Sequence, residues 1–106
     1  MEYINQIIIQ GIVGFVDLKF FDNAKLLRMS VATNDVHKSK DGTPVTNTQW
    51  HHVTAWDNGT TVTGFDAIKK GDKVKVSGRL TYRHYTRNDG SDAVSAEIVA
   101  TSFEFV

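Results

Sequence analysis

A strict two-residue alternation runs from Lys73 to Tyr85 and sets the strongest limit on how this chain can fold. Apolar or small residues occupy one set of alternate positions, namely Val74, Val76, Gly78, Leu80 and Tyr82. The positions between them carry, among others, Lys73, Lys75, Arg79, Arg83 and Tyr85. Because successive side chains of a β-strand point to opposite sides, this pattern predicts a strand with one buried face.

The second face of this strand holds four cations and an aromatic ring, and it carries no acidic residue. Lysine and arginine are common on solvated faces, so a plain outer surface is one interpretation. Ordinary surfaces, however, interleave both signs of charge. The one-sided charge therefore favours a surface that binds a polyanion.

The segment Thr48–Trp56 holds both tryptophans of the protein. As a strand it places Trp50 and Trp56 on one face with His52 and Thr54, and His51 on the other face with Val53 and Ala55. The two indoles would lie roughly 20 Å apart, too far to enclose one small ligand. They could stack on separate units of an extended polymer, or they could be core or interface residues.

Three more segments predict strands. Tyr3–Phe15 is apolar on both faces, as expected of a strand with other elements packed on both of its sides. One of those packing elements could be another subunit. Gly11 and Gly14 mark a bulge or bend within it. Lys25–Asn34 alternates, and Ala93–Val106 forms the last strand, while the polar segment 35–47 predicts a long exposed loop.

A short helix is predicted between the third and fourth strands. Asp57 and its polar neighbours can cap it, Val62, Phe65 and Ile68 are spaced for one helical face, and Gly71 can end it. Five strands with one helix in this place, and glycines at the bends, predict an all-β chain folded as a five-stranded OB-fold barrel.

Length and composition limit the remaining possibilities. With 106 residues, 41% of them hydrophobic, the chain is expected to form one domain spanning residues 1–106. A net charge of +0 means that nucleic-acid binding would depend on local segregation of charge. The absence of cysteine fits a reducing compartment. Neither a membrane span nor a signal peptide is predicted, so a cytoplasmic protein is expected.

Catalysis is not predicted. His51 and His52 are adjacent, so on a strand they point to opposite faces and do not readily share a metal ion. His37 and His84 have no ligand partner identifiable in the sequence, and the acidic residues form no pair or nucleophile–base arrangement. We therefore expect no enzyme activity, no metal site and no cofactor.

Several motifs resemble those of the bacterial single-stranded DNA-binding protein family in order and spacing. They are Gly11-Ile12-Val13-Gly14, Val31-Ala32-Thr33, Thr48-Gln49-Trp50-His51-His52-Val53, Lys70-Gly71-Asp72-Lys73-Val74 and Ser77-Gly78-Arg79-Leu80. The resemblance covers nearly the whole chain. It implies sequence-independent binding and protection of single-stranded DNA in replication, recombination and repair, in the cytoplasm and in association with the nucleoid.

The resemblance also implies which residues contact DNA. Base-stacking positions of the family match Trp50, Trp56 (where phenylalanine is more usual), Tyr85 (in place of a frequent tryptophan) and His37. Phosphate contacts match Lys69, Lys70 and Arg83, and Asn58 replaces a lysine usual in the family. The cationic strand face adds Lys73, Lys75 and Arg79 as predicted phosphate contacts.

Family members commonly form tetramers, so the resemblance implies a homo-oligomer, with a tetramer favoured over a dimer. His51 matches a position buried between subunits, and the doubly apolar first strand adds Ile7 and Ile9 to the predicted interface. The acidic tail with which the family recruits other enzymes does not follow residues 103–106. We therefore expect either a core piece or a tailless relative, and no tail-mediated recruitment by this chain.

Two other functions fit a barrel of this type. Relatives of primosomal replication protein N share the fold and act as dimeric adaptors in replication restart, but they generally lack the tryptophan-rich platform. An oligosaccharide-binding barrel would also use aromatic platforms. It would not need the cationic face of the strand from Lys73 to Arg83.

Overall fold

Five long strands make up the fold. The computed structural model describes residues 1–57 and 67–106, and each of the five strands is 14 residues long. Their bounds are β1 Ile7–Phe20, β2 Lys25–Lys38, β3 Pro44–Asp57, β4 Lys73–Thr86 and β5 Asp92–Phe105. Within these two described ranges, no helix is long and apolar enough to cross a membrane.

The strands pair in the order β1-β2-β3-β5-β4, and β4 returns to pair with β1, so the barrel closes. All neighbours are antiparallel except β3 and β5, which pair in parallel over two residues. This architecture confirms the predicted all-β, five-stranded OB fold. The predicted helix falls mainly on residues 58–66, outside the described residues. Ile68, beyond that segment, is buried in the core.

The core consists of the inward-facing residues of all five strands. Its fully buried members are Val13, Leu27, Met29, Val31, Val53, Val74 and Val76. The two-residue alternation predicted for β3 and for the first half of β4 is therefore confirmed. Tyr82, which alternation placed with the apolar face of β4, is 63% exposed. Its pairing partner Ala96 is exposed as well, since this part of the β4–β5 hairpin has solvent on both faces.

The prediction of a long loop over residues 35–47 was wrong. β2 and β3 remain paired to their ends, with His37 opposite Val45 and Lys38 opposite Pro44. The Thr48 hydroxyl donates a hydrogen bond to the Asn34 side-chain oxygen at 2.7 Å across the two strands. Backbone pairing does not require apolar side chains, so a polar composition did not end the strands here.

The turn that joins β2 and β3 is short and internally hydrogen-bonded. The Thr43 N–H donates to the Asp41 carboxylate at 3.0 Å, and the Ser39 hydroxyl donates to the same oxygen. These bonds, the Ser39 bond first, lower the pKa of Asp41 from 3.8 to about 2. Gly42 has a φ of 86°, a left-handed conformation that favours glycine. The hairpin therefore ends in a defined turn.

β1 contains the predicted bulge at Gly14. Val13 pairs with Val31, but the next pair is Val16 with Met29, so β1 has one extra residue between them. Before the bulge, odd-numbered residues such as Ile9 face inward, and after it even-numbered ones do. The bulge thus reverses which side chains reach the outer surface.

A second irregularity lies in the pairing of β4 with β5, where Ser77 pairs with Ser102 but Gly78 pairs with Ala100, so β5 has one extra residue. A Cβ atom on Gly78 would lie 2.1 Å from the carbonyl oxygen of Val99, which is backbone and cannot rotate away. We expect Gly78→Ala to lower the free energy of unfolding by about 1–3 kcal/mol, as overpacking does. Urea denaturation measures the change, and Ser77→Ala is the control. Equal stability of the two variants would contradict the predicted close contact.

Candidate nucleic-acid interface

Both tryptophans lie on the outer face of β3. Trp50 is 56% exposed and Trp56 is 47% exposed, while Val53 and Ala55, at intervening positions, are each 1% exposed. The indoles are therefore outside the core, because the apolar residues between them occupy the interior. His52 is also exposed on the outer face, and Thr54 is half-buried there.

Trp50 lies close against the backbone of β1. A Cβ atom on Gly14 would be 2.3 Å from the Cζ3 atom of Trp50 and 2.6 Å from the Ser30 hydroxyl oxygen. Only glycine leaves this space, so Gly14 lets the indole approach β1. One edge of the ring is thereby held against the barrel while more than half of the side chain stays open to solvent.

A mainly apolar cavity opens beside this indole, and we call it the Trp50 cavity. Its lining residues are Gly14, Phe15, Ser30, Trp50, His52 and Lys70. The Lys70 side chain brings a positive charge to a surface of aromatic rings. This combination suits a ligand that has both flat apolar groups and negative charges.

A second cavity lies between the outer faces of β1, β2 and β3 and the β4–β5 hairpin, and we call it the Arg83 cavity. Its lining includes Phe15, Arg28, His52, Thr54, Arg83 and Tyr85. Phe15 and His52 line both cavities. The two cavities therefore adjoin, and we refer to them together as the groove, which extends from Trp50 and Lys70 to Arg83 and Tyr85.

The groove also contains acidic groups that the cationic strand face did not predict. Asp17 on β1 and Glu97 on β5 line the Arg83 cavity. The Thr54 hydroxyl donates a hydrogen bond to the Glu97 carboxylate, which holds this negative charge beside β3. β4 itself carries no acidic residue on the face that holds Arg83, but the neighbouring strands β1 and β5 each supply one. The cavity is therefore mixed in charge, with Arg28 and Arg83 as its cations.

The remaining predicted cations do not line the groove. Lys73 and Lys75 lie at the other end of β4, opposite Ile12 and Gln10 of β1. The Lys75 ammonium is 3.9 Å from the Glu104 carboxylate. Arg79 and Lys69 are exposed and line neither cavity. Of the six predicted phosphate contacts, the structure thus brings Lys70 and Arg83 into the groove.

Two of the predicted stacking residues also lie outside the groove. Trp56 packs against Phe21 at the β1–β2 turn, with ring centroids 5.8 Å apart and planes inclined by 34°. His37 is exposed near the tip of the β2–β3 hairpin. The structure therefore places Trp50 and Tyr85 together in the groove, and Trp56 and His37 at separate points on the surface.

Sequence reasoning missed three residues of this surface. Phe15 was placed at the end of an apolar strand, and neither Phe21 nor Arg28 was assigned a role. Arg28 could have been found, because it alternates with the core residues Leu27 and Met29 and therefore lies on the outer face of β2. Phe15 could not, because its outward direction depends on an extra residue between Val13 and Val16, and the glycines marked only a bulge or bend somewhere in this strand.

The residues predicted for a subunit interface have different environments. Ile7 and Ile9 pack against the core from the inner face of β1. His51 is half-buried, and its Nε2 lies 2.9 Å from the Thr33 hydroxyl oxygen. On the outer face of β1, Ile8 is 53% exposed and Ile12 is 44% exposed. An apolar surface on β1 is therefore present, but its exposed members are Ile8 and Ile12.

These features define a barrel of the oligonucleotide/oligosaccharide-binding type with an aromatic and cationic groove on its outer face. Over residues 1–57 and 67–106, no three histidine, aspartate or glutamate side chains are grouped to hold a metal ion. The model of the single-strand binding protein family matches residues 4–106. The chain belongs to this family.

Individual relatives agree with the family assignment. The single-stranded DNA-binding protein of Xanthomonas axonopodis pv. citri is 32% identical over 105 residues, which are 97% of this chain and 58% of that protein. The mitochondrial single-stranded DNA-binding protein of Drosophila melanogaster is 29% identical over 103 residues, 96% of this chain and 70% of that protein. The chain spans 58%, 60% and 63% of the length of three bacterial relatives.

Solved structures share the fold. A Plasmodium falciparum SSB complex with ssDNA aligns over 100% of this chain and 97% of that chain, with a TM-score of 0.81 and 24% identity. The small single-stranded DNA-binding protein from Streptomyces coelicolor aligns over 100% and 96%, with a TM-score of 0.69 and 21% identity. At such low identity the similarity establishes the architecture.

The exposure of the tryptophans leads to a stability test. A half-exposed side chain gains only part of the roughly 1.5–3 kcal/mol of full burial, so Trp50→Ala and Trp56→Ala should each lower the free energy of unfolding by less than about 1.5 kcal/mol. Leu27→Ala, at a fully buried position, is the comparison and should cost about 2–5 kcal/mol. Thermal and urea unfolding measure all three. If the two tryptophan variants lose as much free energy of unfolding as Leu27→Ala does, the indoles would belong to the core instead.

Proposed function

We propose that this chain binds single-stranded DNA without sequence preference and protects it during replication, recombination and repair. The observation that carries the proposal is the groove, in which Trp50 and Lys70 at one end are joined by Phe15 and His52 to Arg83 and Tyr85 at the other. Membership of the single-strand binding protein family and the names of its relatives support the same function.

The chemistry of the groove accounts for a preference for single strands. A flat ring offers a stacking surface to any base, which is worth about 1–3 kcal/mol per base with little dependence on sequence. Duplex DNA keeps its base faces covered, so Trp50 and Tyr85 can stack only on unpaired bases. Lys70, Arg28 and Arg83 lie beside these rings and would hold phosphates, with release of counterions.

The residues outside the groove would extend the contact along a longer strand. Trp56 remains a proposed stacking site together with its neighbour Phe21, and His37 a further one on the hairpin. Lys69, Lys73, Lys75 and Arg79 remain proposed phosphate contacts at the edges of the path. Because none of them lines the groove, each is secondary to Arg83 in the proposed binding mode.

The wider assignment follows from the same proposal. The chain would act as one binding domain over residues 1–106, in the cytoplasm and with the nucleoid. Its role would be binding and not catalysis. A dimeric adaptor resembling primosomal replication protein N is the alternative, and the exposed Trp50 platform supports DNA binding over it.

We also propose that the chain forms a homo-oligomer, a tetramer in preference to a dimer. Ile8 and Ile12 support a contact with another copy, because both are exposed apolar residues on the outer face of β1. His51 is proposed to lie at a contact between subunits, as the family resemblance implies. Ile7 and Ile9 would support that contact from the inner face of β1.

The proposed function is tested by titration with an oligonucleotide of thymidines at several salt concentrations. The wild-type protein should bind with quenching of tryptophan fluorescence, and its affinity should fall as salt rises. Arg83→Ala should weaken binding and reduce the slope of log affinity against log salt by about 0.7, the value for one phosphate contact on a single strand. An unchanged slope would remove Arg83 from the phosphate contacts.

Glu97→Gln is the matched variant in the same cavity. The glutamine oxygen can still accept the Thr54 hydrogen bond, while one negative charge is removed. Binding at low salt should therefore become tighter, opposite in direction to Arg83→Ala. Wild-type protein that binds a soluble oligosaccharide and no oligonucleotide would overturn the proposed function.

The oligomer is tested by sedimentation velocity. Ile8→Glu should shift the protein to smaller species, because it places a charge in the proposed apolar contact. Val94→Glu, at another exposed apolar position on the β4–β5 hairpin, is the control and should leave the mass unchanged. His51→Lys should act like Ile8→Glu. A monomeric wild-type protein, or unaltered masses in both variants, would refute the interface.

A further inference from the structure

Phe15 lies in the bulge of β1 and faces outward because of it. The pairs on either side are Val13 with Val31 and Val16 with Met29, so Gly14 and Phe15 together oppose a single residue of β2. Without the bulge, Phe15 would face inward like Val13, which is 1% exposed. With it, the ring is on the outer surface and 48% exposed. Bulges often redirect a side chain in this way near functional sites.

The backbone of Phe15 is held in place by a buried group. The Phe15 N–H donates a hydrogen bond to the Ser30 hydroxyl oxygen at 3.0 Å. Ser30 is the single β2 residue opposite Gly14 and Phe15, and it is almost completely buried. A buried hydroxyl that compensates for the lost strand pairing fixes the position of the bulge. The backbone that carries the ring is therefore held within a strand.

Phe15 occupies the middle of the groove. It lines the Trp50 cavity together with Lys70, and the Arg83 cavity together with Tyr85. The exposed part of this phenylalanine ring is a flat apolar surface that cannot hydrogen-bond water and that a base could cover by stacking. The neighbouring Gly14 also leaves room for the Trp50 ring, so the two aromatic residues share one wall.

We propose that Phe15 is a further base-stacking residue, which receives an unpaired base between the bases held by Trp50 and Tyr85. This inference rests on the proposed binding of single-stranded DNA and adds the element that makes the path continuous. The phosphates on either side of this base would lie toward Lys70 on one side and Arg28 and Arg83 on the other. Phe15 thus links two cavities that would otherwise hold separate parts of the strand.

The test compares oligonucleotide binding by wild-type protein, Phe15→Ala, Phe15→Leu and Phe15→Tyr. Loss of one stacked base should weaken binding by between about fivefold and 150-fold in the alanine variant. The leucine variant keeps apolar volume but loses the flat ring, and it should also bind more weakly than wild type. The tyrosine variant keeps a ring and should bind like wild type.

Salt dependence separates stacking from a general structural role. Stacking releases no counterions, so Phe15→Ala and Phe15→Leu should shift the plot of log affinity against log salt without changing its slope. Phe105→Leu is the matched control, because Phe105 is 49% exposed and lines neither cavity. Its affinity should equal that of wild type. Circular dichroism and thermal unfolding establish that each variant is folded.

The outcomes distinguish this inference from the proposed function. If the wild-type protein binds no oligonucleotide, the proposed function fails, and the role of Phe15 fails with it. If wild type binds, and the folded variants Phe15→Leu and Phe15→Ala bind as tightly as wild type, the stacking role alone is refuted. A changed salt slope in these variants would also refute it, since the groove itself would then have been altered.

Discussion

The register between β2 and β3 is the constraint on which the candidate site depends. The two strands pair over their full length, from Lys25 opposite Asp57 to Lys38 opposite Pro44. In this register Met29 and Val53, each 1% exposed, meet inside the barrel. A shift by one residue would turn Val53 outward and Trp50 inward. Burial of the aliphatic side chains therefore keeps the indole on the surface, so the packing of the core and the exposure of the site have one cause.

The groove combines this aromatic surface with a small and balanced set of charges. Arg28 and Arg83 face Asp17 and Glu97 in one cavity, and the whole chain has a net charge of +0. Long-range attraction of a polyanion by total charge is consequently weak. Binding of the proposed kind would depend on where rings and cations lie beside one another, which makes the position of each aromatic residue more important than the number of lysines.

Much of the fold could be predicted because alternation is a local property. The outward direction of Trp50 and the burial of Val74 both follow from a two-residue period within one strand. The groove could be predicted only in part. The acid beside Arg83 comes from Glu97 on β5, which is distant in sequence and reaches the site through strand pairing. Phe15 was missed because one extra residue in β1 reverses the alternation, and the polar hairpin was missed because backbone pairing does not depend on side-chain polarity.

The sequence alone determined the class of fold, the family and the two-faced character of β3, because strand periodicity and short motifs are properties of neighbouring residues. Only the tertiary structure decided which of these residues share a surface. It joined Trp50, Phe15, Arg83 and Tyr85 in one groove, and it left Lys73 and Lys75 at the other end of the barrel. The physical reason is that closure of the sheet and its register arise from contacts between strands, and no single stretch of sequence contains them.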